Sequence, residues 1–208
     1  MASLKSNVLK QFCQVFSSTK LDPLRTPASK TRSLSNASSD LGQISTAESP
    51  ELVKILPVCV NGTVIHGFGR GSKELGIPTA NYSEEIVNNL PGSFETGIYY
   101  CWAQIVEDRE ETDAPKKFSQ VYPAVMSIGW NPYYNNEKKS METHVIHKFE
   151  KDWYDSQLRV MIVGRIRGET NFTSLEALIE AINTDIAQSQ ELLTSEWSEA
   201  CKSGDFFF

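Results

Sequence analysis

Five runs of the chain after residue 50 carry the β-branched and aromatic residues that are typical of strands, and turn-forming residues bound them. These runs are residues 58–66, 97–106, 118–128, 142–149 and 158–166. The pair Asn61-Gly62 predicts a tight turn within the first run. In the last run, apolar residues occupy both alternating sets of positions, so we expect a strand that is buried on both faces.

One long helical pattern stands near the end of the chain, and Thr173 or Ser174 can cap its first turn. Its predicted apolar stripe consists of Leu175, Leu178, Ile179, Ile182 and Ile186. Five or six strands without interleaved helices favour a mainly β fold, an antiparallel barrel with this helix packed outside.

Composition separates the chain into three parts. Residues 17–50 hold thirteen Ser or Thr and few large aliphatic residues, so we expect residues 1–50 to be a disordered extension. We expect one domain over residues 51–194 and a C-terminal tail over 195–208. The extension is either a mitochondrial presequence or a dispensable tail, and the scarcity of arginine before Arg25 favours the tail and a cytoplasmic protein.

The charge of the chain disfavours one class of partner, and its apolar runs exclude a membrane-spanning helix. Residues 51–208 hold 14 basic and 23 acidic residues, a net charge of −9, which disfavours binding to nucleic acid. The sequence contains no run of eighteen apolar residues, so it does not predict a membrane-spanning helix. The four cysteines form no CxxC pair, which favours a reducing compartment.

A glycine-rich loop precedes two oxygen-bearing side chains in the segment GFGRGSKELGIPTAN, residues 67–81. Such a loop lets backbone amides approach an anion, although Ser72 before Lys73 breaks the P-loop pattern and a bent hairpin is the alternative. Thr79 and Asn81 point the same way if the segment is extended. Neutral oxygens suit Mg²⁺ that is also bound by nucleotide phosphates, or else they satisfy a local turn.

The strand around residue 142 carries a carboxylate and two histidines. Glu142 and His144 share a face, whereas His147 faces the opposite way, so the two histidines do not form a chelating pair. Glu142 is either an exposed strand carboxylate or the group that accepts a proton from an alcohol attacking a phosphoryl group.

Together with the 67–81 segment, four further motifs resemble those of the riboflavin kinase family. They are ETGIYY at 95–100, SIGWNPYY at 127–134, KKSMETH at 138–144 and IVGRIRGETNFTSLEALIEAI at 162–182. The resemblance covers residues 57–193 in collinear order. It implies a six-stranded antiparallel Greek-key barrel that transfers the γ-phosphoryl group of MgATP to the 5′-hydroxyl of riboflavin, giving FMN and ADP.

The resemblance also implies roles for individual residues. Glu142 matches the catalytic carboxylate, and Thr79 and Asn81 match the ligands of Mg²⁺, for which Zn²⁺ or Mn²⁺ are alternatives. The positions that match nucleotide contacts are Gly67, Lys73, Thr79, Val145, His147 and Tyr154. The positions that match the flavin pocket are Arg167, Thr170 and Phe172, and Thr170 stands where the family commonly carries lysine.

Two other functions stay open at this point. One is a catalytically silent barrel that binds flavin or nucleotide, although Thr79, Asn81 and Glu142 are all present. The other is a nucleic-acid-binding barrel, which the acidic domain disfavours. For the kinase, we expect riboflavin, FMN, ATP and ADP as the partners, a monomeric protein, and neither nucleic acid nor a membrane.

Overall fold

A computed structural model describes residues 50–67, 75–92, 94–106, 120–130 and 138–207. The helices are α1 (Pro50–Ile55), α2 (Glu84–Asn88), α3 (Leu175–Leu192) and α4 (Glu196–Lys202). The strands are β1 (Val58–Thr63), β2 (Ala80–Asn81), β3 (Gly97–Val106), β4 (Val121–Trp130), β5 (Lys139–Val145) and β6 (Gln157–Arg167). Residues 1–49 of the predicted N-terminal extension, including its presequence alternative, and Lys73 lie outside the described residues, and Pro50 begins α1.

The six strands form one antiparallel sheet in the order β1-β6-β3-β4-β5-β2. Strands β3, β4 and β5 pair consecutively, and β6 returns to lie beside β3, which is the Greek-key arrangement. The sheet curls into a half-barrel, and a bridge between Ile65 and Asn81 joins its two edges. The predicted mainly β Greek-key fold is confirmed.

Apolar residues pack on both faces of this sheet. The inner core fills the concave side and includes Leu158, Val160 and Ile162 of β6. An outer cluster lies on the opposite side and consists of Cys59, Trp102, Val121, Met161, Val163, Leu193, Cys201 and Phe207. Strand β6 is therefore buried on both faces, as its sequence predicts.

The turn predicted at Asn61-Gly62 is wrong. Both residues lie within β1, where Asn61 pairs with Arg159 and Gly62 pairs with Leu158 of β6. A Cβ atom at position 62 would lie only 3.0 Å from Cδ1 of Tyr82. Glycine is therefore explained here by the close approach of a ring to the strand, and not by a turn conformation.

Helix α3 packs outside the sheet, mainly against β3 and β4, and the Ser174 side chain caps it by accepting the N–H of Ala177 at 3.1 Å. The predicted apolar stripe is partly wrong, because Leu175 is 52% exposed. The buried residues of the helix are instead Asp185 and Ser189. Both bond to the sheet, which compensates for burying their polar groups.

The predicted C-terminal tail contains α4 and packs on the outer cluster. Ser198 accepts the indole N–H of Trp102 through its carbonyl at 2.8 Å, and the Phe207 carbonyl accepts the amide of Gln104 at 3.0 Å. Phe207 is completely buried, so an apolar patch is not exposed at this residue. Among the described residues, none of the helices combines the length and the apolar character needed to cross a membrane.

Candidate active site

A row of paired positions crosses the outer face of the half-barrel. Strand β5 buries Met141, Thr143 and Val145 inward, so its even-numbered positions, including Glu142, face outward. The cross-strand pairs connect Asn81 of β2, Glu142 of β5, Ser127 of β4, Ile98 of β3 and Arg167 of β6. Directly paired residues point to the same face of a sheet, so these five side chains form one row, called here the outer row.

The outer row crosses four gaps between strands. Because neighbouring strands lie about 4.8 Å apart, the row extends about 19 Å along the sheet. The candidate metal ligand Asn81 stands at one end, and the candidate flavin contact Arg167 stands at the other. Glu142 lies between them, next to Asn81.

Thr79 extends the Asn81 end of the outer row. It precedes Asn81 by two positions, and its hydroxyl donates a hydrogen bond to Oε2 of Glu142 at 3.1 Å. Asn81 is buried, whereas Thr79 and Glu142 are half-buried. The structure thus brings together the three residues for which the sequence predicts metal binding and proton transfer.

Strand β2 is only two residues long, and long-range contacts hold it in place. The N–H of Ile65 donates to the Asn81 carbonyl at 3.0 Å, and the Tyr82 hydroxyl donates to the Leu158 carbonyl at 3.1 Å. Burial raises the pKa of Tyr82 well above its usual value, so the hydroxyl stays protonated as a donor. These contacts fix Asn81 opposite Glu142.

Gly67 and His144 complete the support of this segment. The Gly67 backbone approaches the Asn81 side chain so closely that a Cβ atom at position 67 would clash with its amide group. His144 lies on the outer face of β5, and its Nδ1 is 2.9 Å from the carbonyl oxygen of Pro78. Since a carbonyl only accepts, Nδ1 carries the proton, and the bond holds the residue directly before Thr79.

The other described candidates for nucleotide contacts, Tyr154, His147 and Val145, lie outside the outer row. Tyr154 stacks on His66, the residue directly before Gly67, with ring centroids 3.7 Å apart. His147 is exposed and lies 4.5 Å from the Tyr122 ring. The side chain of Val145 is buried in the inner core, so a contact with a ligand on the outer face would have to come from its backbone.

The three candidate flavin residues meet where β6 ends. The guanidinium group of Arg167 lies 5.7 Å from the centre of the Phe172 ring. Its Nη1 donates to the Gly168 carbonyl at 3.1 Å and to the Thr170 hydroxyl at 3.4 Å. Asp185 of α3 accepts from Nε and Nη2 of the same guanidinium group at 2.8 and 2.7 Å.

The sequence does not predict three residues that lie in the outer row or support it. They are Ser127, His144 and Asp185. The exposed Ser127 occupies the middle of the outer row, and the strand register that puts it there depends on pairing with two other strands. Asp185 has its partner eighteen positions earlier, which local helix periodicity does not reveal. The alternation along β5 does reveal that His144 shares a face with Glu142.

The side chains at the Asn81 end of the outer row are the ones that could take part in holding a divalent cation. Thr79 and Asn81 offer neutral oxygens beside the Glu142 carboxylate, and hard cations prefer oxygen ligands. The described residues contain no group of three His, Cys, Asp or Glu that could hold a metal ion by themselves. A cation here would therefore need further oxygen ligands, such as phosphate groups and water.

Fold and site together define a Greek-key half-barrel that carries the outer row across one face. The family model Flavokinase, described as riboflavin kinase, matches residues 55–193. The riboflavin kinase of Mus musculus is 48% identical over 155 residues, which are 74% of this chain and 93% of the mouse protein. The riboflavin kinase of Homo sapiens is 49% identical over 152 residues, covering 73% and 91% of the two chains. The chain belongs to the riboflavin kinase family.

A solved structure shares the fold. The crystal structure of riboflavin kinase from Trypanosoma brucei matches 72% of this chain and 87% of its own, with a TM-score of 0.54 and 23% sequence identity. At 23% identity the match supports the fold alone. The assignments of Asn81, Glu142 and Arg167 depend instead on their positions in the outer row.

Proposed function

We propose that this chain is a riboflavin kinase that transfers the γ-phosphoryl group of MgATP to the 5′-hydroxyl of riboflavin, forming FMN and ADP. Family membership supports the reaction. The hydrogen bond between Thr79 and Glu142 is the observation that carries the site assignment, because it joins a candidate metal ligand to a candidate proton acceptor.

The nucleotide phosphates lie at the Thr79–Asn81 end of the outer row in this proposal. Gly67 lies against Asn81, and Tyr154 stacks on the residue before Gly67. Lys73 and His147 are further candidate contacts from the sequence. A bound Mg²⁺ would neutralise phosphate charge and hold the phosphates in line with the acceptor. The all-oxygen donor set favours Mg²⁺ or Mn²⁺ over Zn²⁺, which prefers nitrogen and sulfur ligands.

Glu142 accepts the proton of the riboflavin hydroxyl in this proposal. Phosphoryl transfer depends mainly on positioning and charge stabilisation, so a carboxylate aimed at the attacking oxygen suffices as the base. The hydrogen bond from Thr79 to Oε2 restrains the Glu142 side chain on the outer face of the sheet. Its neighbour Ser127 offers a hydroxyl on the same face, on the side towards the flavin.

The flavin ring lies at the Arg167 end of the outer row. Phe172 provides an aromatic surface, and the Arg167 side chain remains 27% exposed, so it can donate to a ring carbonyl. Thr170 is exposed and its hydroxyl contacts Arg167, so a side-chain contact with the flavin is open to it despite the replacement of lysine.

Chromatography of the reaction products tests the proposal. The purified chain is incubated with riboflavin, ATP and Mg²⁺, and FMN and ADP are quantified over time. We expect equal amounts of the two products. Saturable binding of riboflavin and MgATP without FMN would instead identify a catalytically silent barrel, and ADP without FMN would identify an ATPase.

A further inference from the structure

We propose that Asp185 is a positioning residue that fixes Arg167 for the flavin, an inference that rests on the proposed function. Asp185 lies in the middle of α3, and its side chain is only 4% exposed. Both of its carboxylate oxygens accept from Arg167, at 2.8 Å from Nε and 2.7 Å from Nη2. Two parallel bonds of this kind fix the plane of the guanidinium group as well as its place.

Stability alone does not account for a carboxylate at this position. Burying an ionised group costs several kcal/mol, and a buried ion pair is often no more stabilising than apolar residues of the same size. An apolar residue would continue the pattern of Leu178 and Ile182 on this helix. What a bidentate carboxylate adds is a fixed orientation of Arg167.

Arg167 is held on several sides yet stays accessible. Gly168 accepts from its Nη1, and the Phe172 ring lies 5.7 Å below its guanidinium carbon. The side chain nevertheless keeps 27% of its surface exposed. Since an unrestrained arginine loses considerable rotamer entropy on binding, a guanidinium group already fixed by Asp185 binds a flavin carbonyl at lower cost.

Ser189 offers a matched comparison on the same helix. It lies one turn after Asp185 and is also buried, and its hydroxyl donates to the Ala124 carbonyl of β4 at 3.0 Å. Both residues tie α3 to the sheet, but only Asp185 contacts Arg167. A loss of helix attachment alone should therefore affect both variants alike, whereas a loss of Arg167 orientation should appear only in the Asp185 variant.

The experiment measures the KM values for riboflavin and MgATP, the quenching of riboflavin fluorescence, and the melting temperature. In Asp185→Asn, which is nearly isosteric, we expect the KM and Kd for riboflavin to rise about 10- to 100-fold. The KM for MgATP should stay within about twofold, because the nucleotide end of the outer row is on other strands. Ser189→Ala should lower the melting temperature and leave the riboflavin KM unchanged.

Two further variants decide the interpretation. Asp185→Glu keeps the charge and should recover part of the riboflavin affinity that Asp185→Asn loses. Arg167→Lys keeps the charge opposite Asp185 but loses the two-point bond, so it should raise the riboflavin KM selectively even if Asp185→Asn does not fold. An unchanged riboflavin KM in folded Asp185→Asn or Arg167→Lys, or an equal rise of the KM values for riboflavin and MgATP in either variant, would overturn the proposal.

Phe172→Ala separates this inference from the proposed function. If Phe172→Ala weakens riboflavin binding and Asp185→Asn does not, the flavin site stands and the role of Asp185 is overturned. If the wild-type chain forms FMN but Phe172→Ala binds riboflavin normally, the placement of the flavin at this end fails, and the role of Asp185 fails with it.

Discussion

Glu142 is half-buried on the outer face, between the candidate metal ligands and the flavin end of the outer row. In Glu142→Gln, the side-chain oxygen can still accept the Thr79 hydroxyl, so binding geometry is kept while the proton acceptor is lost. We expect kcat to fall about 10²- to 10⁴-fold, with the affinities for riboflavin and MgADP unchanged. Steady-state kinetics measures kcat, and fluorescence titration measures the riboflavin affinity. Retention of more than a tenth of the wild-type kcat would exclude Glu142 as the base.

Gly67 allows the chain to pass directly over the Asn81 side chain. Gly67→Ala would push a methyl group into the amide of Asn81, and such overpacking costs about 1–3 kcal/mol. We expect the KM for MgATP to rise about tenfold, because Asn81 moves away from Glu142 and Thr79. Gly92→Ala is the control, since among the described residues no atom beyond its chain neighbours lies within 4 Å of the position of its Cβ. Equal MgATP kinetics in the two variants would contradict the role of Gly67.

At the scale of elements, the C-terminal segment after α4 closes the outer cluster through Phe207. Phe207→Ala should lower the free energy of unfolding by about 3–5 kcal/mol, because a completely buried ring is removed. Phe206 is half-buried, so Phe206→Ala should lower the free energy of unfolding clearly less than Phe207→Ala does. Denaturant unfolding measures both, and similar losses in the two variants would show that Phe207 does not anchor the tail. The kcat at saturating substrate should persist, because neither residue belongs to the outer row.

The elements differ in how far the sequence predicts them. Strand β6 follows directly from its alternating apolar positions, and β3 has the bounds that its composition predicts. Strand β2 could not be predicted from periodicity, because two residues carry no pattern and their pairing depends on β5 and Ile65. The buried face of α3 could not be predicted either, because its buried residues are polar and their partners lie on β4 and β6.

The candidate site was predictable in part. Spacing places Thr79 and Asn81 on one side of an extended segment, and the β5 pattern places Glu142 outward. That these two segments are neighbours was implied by the resemblance to riboflavin kinases and is visible in the register of β2 and β5. The positions of Ser127 and Asp185 required the full strand and helix arrangement, because their partners are distant in sequence.

At the scale of the whole molecule, an acidic domain must bind a polyanionic nucleotide. Residues 51–208 have a net charge of −9, so long-range attraction does not favour nucleotide binding, and the proposal assigns this binding to local groups and a cation. In the proposed arrangement the outer row separates this demand from flavin binding, because the proposal assigns the phosphates and the flavin to opposite ends of the row. The central claim is therefore that MgATP binding depends on the Thr79–Asn81 end of the outer row and riboflavin binding on the Arg167 end.

The rate of FMN formation, measured while each substrate is varied in Thr79→Ala and Phe172→Ala, tests this claim most directly. Thr79→Ala removes one candidate oxygen ligand and should raise the KM for MgATP about tenfold, leaving the riboflavin KM unchanged. Phe172→Ala should do the reverse, since it removes the aromatic surface beside Arg167. If either variant raises both KM values equally, or if the two effects are exchanged, the outer row does not separate the substrates as proposed.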